Sequence, residues 1–141
     1  MPPRIAPPRV FPVATRSGKP PMDAAGSADA YRQTSFVLGA DLDLVLEGMN
    51  LEGASAQAAS GSKFRTQTTA ATLSLWSRSW LCRMEALHAV EWGNYAAALP
   101  LIRSAVDHAG AEQYLLQQDA AEWREWLDEG GVGLAAAQHA T

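Results

Sequence analysis

Apolar residues recur at helical spacing after about residue 30 and show no period before it. Tyr31, Leu38, Leu42, Val45 and Met49 share one face, which predicts an amphipathic helix from about Ala30 to Met49, weakened slightly by Gly39. Its end is expected near Gly48 to Gly53. The small residues that follow, EGASAQAASGS over 52–62, predict a flexible linker reaching about residue 65. A second helix is predicted from about Thr66 to Trp92. Leu73, Trp76, Trp80, Met84 and Leu87 form its apolar face, with Arg78 and Glu85 on the other side. Gly93 suits the left-handed residue that ends a helix, and Asn94 suits the cap of the next one.

A third helix is expected from about Tyr95 to Gln117, with Ala98, Ile102, Ala105, Val106, Ala109 and Leu116 as its buried stripe. Pro100 either kinks it or opens its main part. A short fourth helix is predicted over about 120–129, with Asp119 and Glu122 at capping-box spacing and Trp123, Trp126 and Leu127 as its apolar face. Gly130 and Gly131 stop it, leaving 130–141 as a mobile tail. The expected architecture is an all-α bundle of about four helices over 30–129, its second and third helices forming an antiparallel hairpin.

Residues 1–29 differ in kind. They hold seven of the eight prolines, no PxxP spacing and no continuous apolar run, so they read as a disordered Pro/Arg-rich extension and not as a cleaved signal. All 15 acidic residues lie after position 22, whereas Arg4, Arg9, Arg16 and Lys19 precede it. That boundary makes Met22 a possible true start. The tail after Glu129 carries no clear finishing element, which leaves room for the chain to be a piece of a longer protein.

Composition narrows the function classes. The body is acidic, which disfavours broad binding to nucleic-acid phosphates. One cysteine, Cys82, excludes an internal disulfide framework and fits a reducing, cytoplasmic setting. The longest unbroken apolar stretch, Ala96 to Ile102, is too short to span a bilayer. No phosphate-binding loop, dinucleotide fingerprint, nucleophile elbow or zinc spacing occurs, so no cofactor or metal is expected. Asp43 and Glu47 are one helical turn apart and could share a cation, but Asp41 points elsewhere, and the group reads as a solvated face.

The segment with most chemical content is LPLIRSAVDHAGAEQYLLQQ, Leu99 to Gln118. With the hairpin before it, over about residues 70–118, it resembles helical domains of HEPN type and some uncharacterised bacterial relatives. In nuclease members an arginine and a histidine separated by four to six residues cleave RNA without metal across a dimer interface. The resemblance implies that Arg103 stabilises phosphate, His108 moves protons and Ser104 is the assisting polar residue. It makes a toxin- or defence-associated ribonuclease one expectation. The same spacing recurs at Arg83 and His88. Arg103 with Asp107, and His108 with Glu112, can also pair as ordinary helix neighbours. The leading expectation is therefore a non-enzymatic interaction or dimerisation module, acting by self-association or on a protein partner. RNA is a ligand only under the alternative.

Overall fold

The computed structural model describes residues 13–21, 27–60, 67–118, 121 and 125. It is all-helical, with no strand among the described residues. Three long helices follow one another: α1 (Ser27–Ser60), α2 (Gln67–Glu91) and α3 (Tyr95–Leu116). The fourth predicted helix falls almost wholly outside the described residues, as do the 130–141 tail and residues 1–12.

The turn between α2 and α3 forms as its sequence requires. Gly93 has φ +78°. Its N–H donates to the Val90 carbonyl at 3.0 Å, and the Asn94 N–H donates to the Ala89 carbonyl at 2.7 Å. This is the paired closure of a Schellman motif. Glycine is required there twice over, because a Cβ on Gly93 would sit 2.9 Å from the Ala30 Cβ. Asn94 occupies the cap position of α3, but its side chain makes no capping bond. Pro100 lies inside α3, which continues past it.

α2 is the central element, and its two flanks are built differently. Toward α1 it presents Trp80, Met84 and Leu87, which pack with Leu42, Leu46 and Met49. The Trp80 indole N–H donates to the Met49 carbonyl at 3.0 Å. Toward α3 it presents Ala71, Leu75 and Ser79. The first two pack with Ala111 and Leu115, and the Ser79 hydroxyl donates to the Ala105 carbonyl at 3.0 Å. Glu52 of α1 holds Arg83 of α2, and Ala30 lies beside Gly93, so α1 runs antiparallel to α2. The order is up, down, up.

Three expectations change here. First, α1 does not stop near Gly48 to Gly53 but continues to Ser60, so most of the predicted linker at 52–65 is helix. Tertiary contacts offset the glycine penalty: Gly53 and Ala56 are buried and Glu52 is ion-paired. Second, the stripe predicted as buried in α3 is split. Ala98 and Ala105 are buried, whereas Ile102, Val106 and Leu116 are exposed. The alanines let α3 approach α2 closely enough for a side-chain hydroxyl to reach its backbone, and this turns the larger residues outward. Third, residues 13–21, expected to be unstructured, lie in the groove between α1 and α2. Ala14 belongs to the same core cluster as Leu42 and Trp80, and Pro20 is buried.

Candidate functional site

Arg103, Ser104 and His108 lie on one turn and a half of α3 but do not converge. Arg103 is exposed, and Ser104 and His108 are half-buried. His108 Nδ1 lies 2.6 Å from the Ser104 carbonyl oxygen. That oxygen can only accept, so Nδ1 is the donor in this contact. No hydrogen bond or ion pair joins Arg103 to His108, and neither Arg103–Asp107 nor His108–Glu112 forms an ion pair among the described residues.

The second copy of the spacing has structural partners. Arg83 makes a two-bond pair with Glu52, at 2.6 and 3.2 Å. His88 Nε2 donates to the Thr15 carbonyl at 2.7 Å. Of the acidic group on α1, Asp43 lies 3.8 Å from Arg16. Among the described residues no group of three or more His, Cys, Asp or Glu is placed to hold a metal ion.

Where the three helices meet, two adjoining clefts of about 430 and 510 Å³ share Glu52, Trp76 and Glu112 as walls. Burial raises the Glu112 carboxyl above its ordinary range, the Glu52 charge raises it further, and the Arg83 guanidinium opposes both. Arg83 Nε is buried there without a hydrogen-bond partner. Trp76 stacks obliquely on Trp80, with ring centroids 6.2 Å apart. The two carboxylates face one guanidinium, and the hydroxyls lining the clefts are committed to backbone carbonyls: Ser79 to Ala105, Ser55 to Leu51 and Thr72 to Thr68. Among the described residues no nucleophile with a base beside it is assembled. Sequence reasoning missed the trio of Glu52, Arg83 and Glu112. Its members come from three helices, and only the helix-like continuity of 52–60 could have pointed to Glu52.

The surface beside the cleft is apolar. On α3, Tyr95, Leu99, Ile102 and Val106 are exposed at spacings of four, three and four. Ala109 continues the row, which has the period of a coiled-coil seam. On α1, Val37, Leu44 and Leu51 recur every seven residues on the side away from the core, and each is about two-thirds or more exposed. No described helix is long and apolar enough to cross a membrane. Protein-family models, curated proteins and solved structures contain no match to this chain.

Proposed function

We propose that this chain is a non-enzymatic helical interaction module that associates with a second copy of itself through the outer face of α3. The observation that carries this reading is the inverted α3 helix, whose small residues face α2 while Tyr95, Leu99, Ile102 and Val106 face outward at seam spacing. Rows of large apolar side chains on a surface mark interaction sites. The flank of the seam favours a second copy as the partner. Arg103, exposed and without an ion pair among the described residues, and Asp107 sit one turn apart on the same side. In an antiparallel two-fold pairing that sets Ile102 opposite Val106, Arg103 of each copy comes within one helical turn of Asp107 of the other. Sedimentation equilibrium of the wild type and of a Leu99→Glu/Val106→Glu variant tests this. A dimer that becomes a monomer of unchanged helical circular dichroism is expected; a wild type that is monomeric at high micromolar concentration removes the reading.

A second reading, a HEPN-like metal-independent ribonuclease, draws on one feature. Arg103 is exposed beside this seam, and His108 is held through Nδ1, which leaves Nε2 for proton transfer. RNA cleavage in EDTA by the wild type, lost in a folded Arg103→Ala/His108→Ala variant, would favour it over the module.

A further inference from the structure

Residues 13–21 lie against the helices in the manner of a bound peptide. Every hydrogen bond that the segment makes to α1, α2 and the turn after α2, among the described residues, is made to a side chain. Asn50 accepts from the Ala14 N–H at 2.8 Å and donates to the Ala14 carbonyl at 3.1 Å. His88 donates to the Thr15 carbonyl, Glu91 accepts from the Ser17 N–H at 2.9 Å, and the Trp92 indole donates to the Gly18 carbonyl at 3.1 Å. The backbone is thus read at four of five consecutive residues. Ala14 is buried, Thr15 is exposed, and Arg16 and Ser17 both turn toward Glu91 in the groove.

The side-chain pockets are selective. Ala14 is buried in the cluster of Leu42, Met49 and Trp80, where a larger side chain would have to displace packed neighbours. Arg16 is held on four sides. Its Nε donates to Glu91, which has no exposed surface; one terminal nitrogen donates to Ser35 at 2.7 Å; Asp43 lies at 3.8 Å; and the Tyr31 ring lies 5.8 Å away. Lysine has no planar fork with which to make these contacts together. The Ser17 hydroxyl also donates to Glu91. Gly18 has φ +78°, which favours glycine.

We propose that the groove between α1 and α2 is a recognition site for extended basic peptides of the pattern small–x–Arg–Ser–Gly, occupied in cis by residues 13–21. Backbone contacts supply affinity and the two inward pockets supply specificity. The resident segment is a tethered competitor, so a free peptide meets the site only when the segment is weakened or absent.

Two experiments test this, both on the full chain. In the first, Arg16→Ala protein is thermally unfolded with millimolar VATRSGKPP, the sequence of residues 13–21, or with the same peptide carrying alanine for arginine. The first peptide is expected to raise the midpoint and the second is not. The wild-type chain should bind the first peptide on the order of a hundredfold more weakly than the variant, because its own segment competes at high effective concentration. A folded variant that the peptide does not stabilise overturns the proposal. If Arg16→Ala does not fold, a protease site inserted between Asp23 and Ala24 serves instead. After cutting, a fluorescent VATRSGKPP should replace the severed segment while helical circular dichroism persists. Failure to exchange, or loss of helix as the segment leaves, overturns the proposal.

Discussion

The two flanks of α2 are held by opposite means. Toward α3 the interface is nearly featureless chemically: Ala71, Leu75, Ala105, Ala111 and Leu115 in close contact, with one hydroxyl crossing to a backbone carbonyl. Toward α1 an apolar cluster is capped by a polar network around the buried Glu91 carboxylate, and a segment from a distant part of the chain completes it. Small-residue packing tolerates no added volume, whereas a buried charge tolerates no lost partner. The two flanks should therefore fail under different substitutions.

The largest effect is expected on the α1 flank. Arg16→Ala removes the only cation bonded to Glu91 among the described residues, and breaking such a buried pair costs about 3–5 kcal/mol. Chemical denaturation should show that loss, and a change below about 1 kcal/mol would mean that Glu91 is satisfied by Ser17 alone. On the α3 flank, Ala105→Leu should cost about 1–3 kcal/mol by overpacking against Ser79. Val106→Leu, one residue away but exposed, should lie within about 0.5 kcal/mol of the wild type. Equal effects at the two positions would contradict the inverted face of α3.

At the turn that joins the flanks, Gly93→Ala combines a left-handed backbone with a contact on Ala30, and should cost about 1–2 kcal/mol by thermal unfolding. The smallest effect is a matter of pH. The Glu112 carboxyl is raised in the folded chain, chiefly by burial. A raised group adds stability below the unfolded carboxylate range and loses that contribution as pH rises through its folded value. Glu112→Gln should therefore raise the unfolding midpoint at neutral pH, with the gap closing as the solution is acidified. A gap that widens in acid would reverse the sign of Glu112's environment.

Local signals wrote much of the fold. The boundaries of α2 and α3 were legible because Gly93 and the periodic stripe of Leu73, Trp76, Trp80, Met84 and Leu87 act within a few residues of themselves. The solvent-facing placement of Arg78 and Glu85 was legible for the same reason. The extent of α1 was not, because Gly48 and Gly53 carry a local penalty that only contacts with α2 offset. Nor could periodicity choose which apolar face of α3 would be buried. Alanine and isoleucine both count as apolar, but the choice depends on how closely two backbones approach.

The candidate site was the least legible part. Arg103, Ser104 and His108 were found because they are close in sequence, yet that closeness does not bring Arg103 and His108 together in one chain. Arg16 and Glu91 are 75 residues apart and meet as a buried pair. Glu52, Arg83 and Glu112 come from three helices. By itself the sequence determined that the chain is helical and where α2 and α3 begin and end, because propensity, capping and period are short-range. Only the tertiary structure decided which faces are inside, that Ala14 joins the core and its segment lies between α1 and α2, and which charges meet, because burial and pairing depend on residues that are far apart along the chain.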